Sequence, residues 1–563
     1  MTRFSLRRLN PLRSIRKVIR DARNWRKRRQ HDLDFVMFSL DGGIPALPEA
    51  RPWWERRFFG EPALSLWELD KAFQRVAADP RPKGVILFLR DPALSLADTQ
   101  TLRGMIERLR GTGKEVIAYA QNYDLGSYLI ASACSRIFMQ PGGDLAVVGL
   151  FQRATFLKDA LAQVGIALDV VAITPYKGAF DQLSRNDVSP ESRAQIDWLL
   201  DSRYAIIVDA IAASRGKSAE QIHVMIDTAP HLDTDALMLG YVDGLAYEEN
   251  LPDILQTKHL VDWEQAEHRL IALDPPRRDR YVAILPITGM MLPGESGGSP
   301  IPLPIPLPFV GEETAGDLTI VQQVRALLEN DDAAAVILFI DSGGGAAVAA
   351  EAMASALDEL AKTRPVIAFM NGVAASGGYM VACPAQWIVA QPGTITGSIG
   401  VVAAKPVTGD LETMIGARSV MFKRGTNSDL FDTSAPFSEG GRAVVTASVQ
   451  HSYRQFIERV ARARHQSTEQ IDAVGGGRVW TGAQARDHGL VDQLGDLRAA
   501  IEKARELAHL PASVPAFVYE SRHRSPIPPI AAALDPIARS LKSARLMLNG
   551  RALALMPIKF KDS

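Results

Sequence analysis

An internal repeat with a period of about 250 residues constrains the fold of this 563-residue chain more than any other feature. Four short motifs of the first half recur in the same order in the second half, at offsets of 249 to 251 residues. The repeat pairs residues 85–89 with 336–340, 116–119 with 366–369, 140–142 with 391–393, and 240–243 with 489–492. This period is longer than that of solenoid repeats, so it indicates that a whole domain has been duplicated.

Strands and helices are predicted to alternate in each half. A short apolar strand, at 35–40 or 281–285, precedes a helical stretch and then the buried-looking strand of the repeat. A second helix, near 98–110 or 346–362, leads to the third strand. Strands that alternate with helices of this length are typical of parallel sheets with right-handed crossovers. We therefore predict an α/β fold.

Prolines mark the limits of the predicted regions. The sequence Asp274-Pro275-Pro276-Arg277 places the boundary between the halves near residue 275. Alternating prolines in 300–308 exclude a helix or a central strand and favour polyproline II geometry, so residues 293–314 are predicted to be an insertion. The predicted regions are a basic amphipathic N-terminal arm (1–32), an N-terminal half (33–275), a C-terminal half (276–515) and a tail with a short amphipathic helix (516–563).

The charges of the chain are unevenly distributed. Its net charge is −1, but the first 30 residues contain 12 Lys or Arg and one acid, Asp21. A near-neutral total gives no reason to expect nucleic acid as a partner. Residues 11–29 are predicted to form a basic helix with an apolar stripe, which can make peripheral contact with an anionic membrane. A disordered basic arm is an equal alternative.

Composition argues against several kinds of site and segment. The two cysteines, Cys134 and Cys383, cannot form a disulfide scaffold or the usual zinc site, and no two histidines lie four residues apart. We therefore expect no metal and no cofactor. No window approaches 18 consecutive apolar residues, and no apolar segment follows the basic N-terminus, so neither a transmembrane helix nor a signal peptide is predicted. We expect a cytoplasmic location or a peripheral one on the inner membrane.

Two glycine-rich turns in the second half contain the candidate chemical groups. Residues 341–345 (Asp-Ser-Gly-Gly-Gly) follow one predicted strand, and residues 371–379 (Asn-Gly-Val-Ala-Ala-Ser-Gly-Gly-Tyr) follow the next. A serine in such a turn, Ser376, can expose its hydroxyl, while the N–H groups of Gly377 and Gly344 can point at an oxyanion. Taken alone, these turns are at least as well explained by close packing.

Several segments resemble motifs of the signal peptide peptidase A family in its long, duplicated form. They are 374–379 (Ala-Ala-Ser-Gly-Gly-Tyr), 396–400 (Thr-Gly-Ser-Ile-Gly), 477–482 (Gly-Arg-Val-Trp-Thr-Gly) with 489–492 (Gly-Leu-Val-Asp), and 176–177 (Tyr-Lys). The resemblance implies two tandem Clp protease/crotonase-like domains, each a spiral of ββα units. It also implies a serine endopeptidase that cleaves apolar peptides, such as signal-peptide remnants, and assembles into a homotetramer.

The same resemblance implies roles for individual residues. Ser376 would be the nucleophile, Lys177 the general base, and Ser398 the residue that orients the lysine amine. An alcohol is a poor nucleophile at neutral pH, and no histidine lies in the serine or lysine motifs. A lysine can serve as the base only if burial lowers its pKa toward the working pH. The oxyanion turn of the family usually reads Ser-Pro-Gly-Gly, whereas residues 342–345 read Ser-Gly-Gly-Gly, which costs rigidity.

The duplication supports this assignment independently. With one gap, Leu125 aligns with Ser376, whereas the ungapped alignment puts Gly126 there. A separate alignment puts Arg424 opposite Lys177. Arginine cannot be deprotonated in a protein, so each half lacks the residue that the other half retains. This pattern predicts one composite site formed by both halves.

Two other functions are compatible with the same fold. Crotonase-like enzymes use glycine-turn donors to hydrolyse or hydrate acyl-CoA thioesters and need no serine and lysine pair, so incubation with acyl-CoA substrates would detect them. An inactive membrane-associated scaffold would not react with a fluorophosphonate probe. Labelling of Ser376 would exclude the scaffold.

Overall fold

The computed structural model describes residues 11–49, 62–275, 280–297, 313–519 and 552–556. The chain forms two compact units. The first contains Met1–Gly149, Ile207–Pro275 and the last two residues, and the second contains Leu150–Ile206 and Pro276–Lys561. The segment 150–206 precedes the predicted boundary near residue 275, yet it folds with the second unit. The compact units therefore do not coincide with the halves of the repeat.

Strands and helices alternate along the described residues, so the predicted α/β class is confirmed. The strands are β1 (Phe35–Gly43), β2 (Gly84–Ala93), β3 (Glu115–Ala120), β4 (Tyr123–Asp124), β5 (Arg136–Met139), β6 (Asp144–Ala146), β7 (Ala167–Ala172), β8 (His231–Leu232), β9 (Gly244–Leu245), β10 (Leu260–Asp262), β11 (Tyr281–Thr288), β12 (Met290–Leu292), β13 (Thr314–Gly316), β14 (Ala333–Ser342), β15 (Gly344–Ala346), β16 (Val366–Ala375), β17 (Trp387–Ala390), β18 (Ile395–Gly397), β19 (Val402–Val407), β20 (Val479–Thr481), β21 (Gln493–Leu494), β22 (Ala516–Val518) and β23 (Ala552–Leu555). The helices are α1 (Pro11–Lys27), α2 (Leu66–Ala78), α3 (Leu96–Gly111), α4 (Leu125–Ser132), α5 (Lys158–Gln163), α6 (Asp181–Ser184), α7 (Pro190–Arg215), α8 (Ala219–Asp227), α9 (Asp233–Met238), α10 (Leu251–Ile254), α11 (Trp263–Arg269), α12 (Asp317–Leu328), α13 (Ala347–Ala361), α14 (Gly377–Ala382), α15 (Gly409–Met414), α16 (Glu439–Arg464), α17 (Thr468–Val474), α18 (Gly482–Asp487) and α19 (Leu497–Leu507).

The main sheet of the first unit is parallel throughout. Its strand order is β10-β1-β2-β3-β5-β9, and every neighbouring pair runs parallel. The repeat motif 85–89 lies in β2 and is buried, as expected for a central strand of a parallel sheet. The sequence also fixes where α2 begins. Ser65 Oγ accepts a hydrogen bond from the Glu68 N–H, and the Glu68 carboxylate accepts one from the Ser65 N–H, which forms a capping box.

The main sheet of the second unit has a similar parallel core. Its order is β20-β18-β16-β14-β11-β22, and in addition β17 pairs with β16 and β21 pairs with β17. β14 pairs in parallel with both β11 and β16. β14 ends at Ser342 and β16 ends at Ala375. Residues 371–375, predicted as part of the second turn, therefore belong to β16. The glycines at 343–345 and 377–378 follow the carboxyl ends of neighbouring parallel strands, which is where ligand sites of parallel sheets form.

A second sheet in this unit joins segments that are distant in the sequence. Its order is β13-β12-β15-β23-β19-β7. β7 runs antiparallel to β19, with Ala172 opposite Val402. β23 runs antiparallel to both β15 and β19. The pairing of β7 with β19 is what incorporates the lysine-bearing segment of the first repeat into the second unit.

Equivalent hydrogen bonds in the two units support the register of the repeat. Tyr128 Oη donates to the Tyr241 carbonyl oxygen at 2.7 Å, and Tyr379 Oη donates to the Leu490 carbonyl oxygen at 2.8 Å. Both partners belong to the fourth repeated motif. The two tyrosines therefore occupy equivalent positions, which favours the alignment with one gap over the ungapped one.

The N-terminal arm is helical over α1, where the basic amphipathic helix was predicted. Val18, Ile19 and Trp25 are exposed on this helix among cationic side chains. Lys27 Nζ donates to two backbone carbonyl oxygens within residues 268–270, both at 2.7 Å. The end of α1 is therefore attached to the first unit.

The remaining predictions concern membrane-spanning helices, the polyproline run and the C-terminal tail. Within the described residues, no helix is long and apolar enough to cross a membrane. The polyproline run 300–308 and the predicted tail helix at 535–548 lie outside the described residues. The tail region also contributes β22 and β23, two strands that the sequence pattern did not predict.

Candidate active site

Ser376 lies in the turn between β16 and α14. Its φ of 56° and ψ of −113° are rarely adopted by residues with a side chain, and such a conformation costs on the order of 1–3 kcal/mol. The Ser376 N–H donates to the Gly397 carbonyl oxygen at 2.8 Å, and the Ser376 carbonyl accepts from the Met380 N–H at 2.9 Å. Ser376 Oγ makes no capping hydrogen bond to α14. The hydroxyl is therefore available to another partner.

That partner is Lys177, which follows β7. Lys177 Nζ lies 2.7 Å from Ser376 Oγ, 2.9 Å from Ser398 Oγ and 2.8 Å from the Ser398 carbonyl oxygen. All three residues are buried, with 1 % of Lys177 and none of Ser376 or Ser398 exposed. The structure thus brings together the three residues that the sequence singled out, within one compact unit. Their catalytic roles stay predictions.

Burial favours the neutral form of Lys177. Removal from water penalises the ammonium form and lowers the pKa of Lys177 well below its ordinary value. Among the described residues, no charged group opposes this effect to a comparable extent. A neutral amine can accept a proton from an alcohol, which an ammonium group cannot do.

Two glycines allow the backbone to approach the Lys177 side chain closely. Gly477 has a φ of 94°, and a Cβ at this position would lie 2.7 Å from Lys177 Cβ. A Cβ on Gly400 would lie 3.2 Å from Lys177 Cδ. These glycines belong to the motifs 396–400 and 477–482. The two motifs therefore form part of the wall that excludes water from the lysine.

The predicted oxyanion donors, Gly344 and Gly377, are adjacent. A Cβ on Gly377 would lie 3.1 Å from Gly344 Cα. The Gly344 N–H donates to Ser342 Oγ at 3.1 Å, and the Ser342 hydroxyl donates to the Gly289 carbonyl oxygen at 2.6 Å. An oxyanion would have to compete with Ser342 Oγ for the Gly344 N–H. Gly377 is in the first turn of α14, where N–H groups have no acceptor within the helix.

Two features of the site were not predicted from the sequence. The Asp341 carboxylate links the turns, because it accepts from the Val373 N–H at 3.1 Å and from Asn371 Nδ2 at 2.9 Å. The Leu555 carbonyl oxygen of β23 lies 3.4 Å from Ser398 Oγ. The position of Asp341 at the end of a predicted strand, beside the first turn, was a signal from which its link to the second turn could have been predicted. Nothing in the local sequence connects Leu555 with the two turns.

The residues that align with the serine and lysine in the opposite halves have different surroundings. Leu125 is buried in the first unit and has no polar side-chain atom. Arg424 is exposed, and its guanidinium donates to the Lys423 carbonyl oxygen at 2.9 Å. Neither position has the chemistry of its counterpart.

Comparison with known proteins identifies the relatives of this chain. A model of Peptidase family S49 matches residues 108–262 and 358–511. The chain is 30% identical over 480 residues to the chloroplastic serine protease SPPA of Arabidopsis thaliana, which covers 84% of this chain and 70% of that protein. It is 28% identical over 470 residues to Protease 4 of Haemophilus influenzae, covering 79% and 73% of the two chains. It is 30% identical over 462 residues to Protease 4 of Salmonella typhi, covering 79% and 72%.

These matches and the fold define a serine-type peptidase, built as a tandem duplication of an α/β domain of the Clp protease type. The chain belongs to peptidase family S49 and resembles its long, duplicated SppA members. Peptides are accordingly its class of substrate. Neither the crotonase-like alternative nor the inactive scaffold finds support among these relatives.

Proposed function

We propose that Ser376 and Lys177 form a Ser-Lys dyad that hydrolyses apolar peptides, such as signal-peptide remnants, through an acyl-enzyme. The observation that carries this proposal is the distance of 2.7 Å between Ser376 Oγ and Lys177 Nζ, with the lysine buried. A surface lysine would remain an ammonium ion and could not accept the serine proton.

The contacts of Lys177 match the bonding capacity of a neutral amine. Its two N–H bonds can donate to Ser398 Oγ and to the Ser398 carbonyl oxygen, at 2.9 and 2.8 Å. The remaining lone pair then points to the Ser376 hydroxyl, which donates to Nζ. Ser398 would therefore act as a positioning residue, because it fixes which face of the amine carries the lone pair.

Catalysis would proceed in two steps. Ser376 Oγ attacks the scissile carbonyl carbon while Lys177 Nζ takes the hydroxyl proton, and the N–H of Gly377 stabilises the oxyanion. The Lys177 ammonium then gives its proton to the leaving amine, and the peptide C–N bond breaks. A water molecule next attacks the ester carbonyl, and Lys177 takes one of its protons. Release of the acid returns that proton to Ser376.

Apolar substrates are favoured by the surroundings of the dyad. The second sheet of this unit buries an apolar cluster of Phe180, Met290, Leu292, Val402 and Ala404, in which Leu553 and Leu555 of β23 are packed. Substrate side chains that enter this region would lose water without gaining a charged partner. A charged residue would therefore be disfavoured there.

The homotetramer is proposed from the family resemblance, and an exposed apolar stretch in the second unit is a candidate for a subunit contact. Ile415, Val420, Met421 and Phe422 are 71%, 74%, 52% and 90% exposed. Contiguous apolar surface of this kind is typical of subunit contacts. Light scattering should give the mass of four chains for the parent and a smaller mass for Phe422→Asp. A monomeric parent would contradict the proposal.

Peripheral contact with the inner membrane leaflet is proposed for α1. Its exposed Val18, Ile19 and Trp25 are surrounded by cations. Each cation near an anionic surface contributes about 1 kcal/mol of attraction. The apolar side chains would enter the interface between headgroups and acyl chains.

Two substitutions test the dyad. Ser376→Ala and Lys177→Ala should each lower kcat/KM for an apolar peptide by about three orders of magnitude or more, and the double variant should be no worse, since the residues act as a unit. Arg424→Ala is the matched control and should retain parental activity. A fluorophosphonate probe should label the parent at Ser376 and fail to label Ser376→Ala. Turnover by a folded Lys177→Ala protein at neutral pH would refute the assignment.

A further inference from the structure

The C-terminal strand β23 lies in a slot that is one strand wide. On one side it runs antiparallel to β15, with Leu555 opposite Gly344. On the other side it runs antiparallel to β19, with Leu553 opposite Val402. Neighbouring strands are about 4.8 Å apart, so β15 and β19 are separated by about 10 Å and both bond to β23.

The slot runs directly past the proposed reacting groups. The Met556 N–H donates to the Gly343 carbonyl oxygen at 2.8 Å, in the predicted oxyanion turn. The Leu555 carbonyl oxygen lies 3.4 Å from Ser398 Oγ, and Ser398 Oγ lies 2.9 Å from Lys177 Nζ. The backbone of residues 555 and 556 is therefore beside the catalytic amine.

With β23 docked, no backbone edge remains at the oxyanion turn for a substrate. β15 is paired with β12 on one side and with β23 on the other. An extended peptide binds a sheet by pairing its backbone with an unpaired edge and by placing alternate side chains in pockets. β23 has this same pattern, because Leu553 and Leu555 are two residues apart and both are buried in the apolar cluster.

We propose that β23 is an internal competitor that occupies the strand position of the peptide substrate and must leave before cleavage. This inference rests on the proposed function of Ser376 and Lys177. A strand tethered to its own site has an effective concentration on the order of millimolar. A substrate therefore has to outcompete it, and the fraction of molecules with β23 released sets the apparent KM. The competing ligand is apolar and extended, which is also the substrate class that the slot selects.

A disulfide that locks β23 in place tests the proposal. Ala403 lies opposite Ala552 across β19 and β23, and opposed residues of antiparallel strands are close enough for a disulfide. In Ala403→Cys/Ala552→Cys, oxidation should lower kcat/KM for a peptide at least about tenfold, and reduction should restore it. The single variants Ala403→Cys and Ala552→Cys are the matched controls and should not respond to oxidation. An oxidised lock with full activity would overturn the proposal, as would failure of the disulfide to form.

A peptide added in trans provides the second measurement. Leu553→Asp should weaken docking of β23, lower the KM for substrate and leave kcat unchanged. A synthetic peptide with the sequence of residues 551–556 should inhibit this variant competitively, and a peptide with Asp at the position of Leu553 should not. If Leu553→Asp fails to fold, the same peptide is tested on the reduced double-cysteine protein. Absence of competitive inhibition would overturn the proposal.

Failure of this inference can be told apart from failure of the proposed function. If Ser376→Ala is inactive and the lock has no effect, the dyad stands and β23 is a permanent strand of the sheet. If Ser376→Ala retains turnover, the dyad itself is wrong.

Discussion

As the proposed base, Lys177 could accept a proton only while its amine is neutral, and its environment favours that form. The ammonium ion would lose its hydration on burial, and it would find only two serines as partners. A protonated Nζ would turn its third N–H toward Ser376 Oγ and would have no lone pair to accept the hydroxyl proton. Under the proposed mechanism, the protonation state of this one group would control both the activity and part of the stability of the protein.

The pH dependence of the peptidase should follow Lys177. Because burial lowers the pKa of this lysine, the neutral form accumulates as the pH rises through that lowered value. We expect kcat/KM to rise with pH along a limb well below about pH 10.4, where free lysine titrates. The measurement is a pH profile of kcat/KM with an apolar peptide.

His488 is the control for that profile. Burial lowers the pKa of His488 as well. The His488 ring packs against Trp480, with 4.3 Å between the ring centroids. Trp480 belongs to the motif 477–482, so His488 is a second titratable group close to a motif that contacts Lys177. His488→Gln should leave the limb unchanged. A limb that disappears in this variant, or one that appears only near pH 10.4, would show that Lys177 is not the base.

Stability should depend on pH through the same lysine. Its pKa is lower in the folded protein than in the unfolded chain, so between the two values the unfolded chain binds a proton that the folded protein does not. The free energy of unfolding should then rise with pH in this window, by at most about 1.4 kcal/mol per pH unit. Lys177→Met should lack this contribution. Denaturant unfolding of both proteins across the window measures the difference, and parallel curves would contradict the expected shift.

At the scale of single elements, the turn between α17 and β20 matters because Gly477 in this turn lies against the Lys177 side chain. Gly477→Ala should reduce activity strongly, since the new Cβ would lie 2.7 Å from Lys177 Cβ. The positive φ costs about 1–2 kcal/mol for a residue with a side chain, and the clash adds about 1–3 kcal/mol. Kinetics and thermal unfolding of the variant measure the two effects.

Gly425→Ala separates the effect of backbone strain from the effect of a steric clash with Lys177. Gly425 has a φ of 91°, close to the 94° of Gly477, but a Cβ there meets no atom within 4 Å. Gly425→Ala should therefore lose stability through its positive φ but retain the activity of the parent. Equal losses of activity in the two variants would mean that contact with Lys177 is not the cause.

The sequence predicted some elements of the site and missed others for identifiable reasons. β16, the turn at Ser376 and α14 could be predicted because an apolar run, a glycine pair and a helical stretch follow one another locally. The strained φ of Ser376 and the hydrogen bond from Gly344 to Ser342 depend on tertiary packing. β23 was missed because a strand of four residues has too little pattern of its own, and its partners β15 and β19 are far away in the chain.

For the whole molecule, the duplication and the α/β class were predictable because repeated motifs survive in order. The grouping of 150–206 with the second unit was not, because it depends on the pairing of β7 with β19. That pairing is a long-range contact without a local signal. The repeat therefore indicated that a serine of the second half and a lysine of the first half belong to one site. The strand pairing determines that both residues lie in the second unit.

The proposed membrane contact through α1 has to be tested on the full chain. We expect the protein to sediment with vesicles that contain anionic lipid, to detach as salt is raised, and to ignore neutral vesicles. Trp25→Ala should weaken the binding because this side chain is 58% exposed and would insert at the interface. Leu318→Ala, which removes a 62% exposed leucine outside α1, is the control. Equal binding to neutral and anionic vesicles would contradict an electrostatic contact.

If Ser376 and Lys177 form the proposed dyad, the pairing of β7 with β19 means that the two repeats could not be separated into independent enzymes. A fragment cut at the repeat boundary near residue 275 would leave Ser376 in one piece and Lys177 in the other. Neither piece would hydrolyse peptides, but mixing the two could restore turnover by fragment complementation, since β19 would offer an open edge to β7.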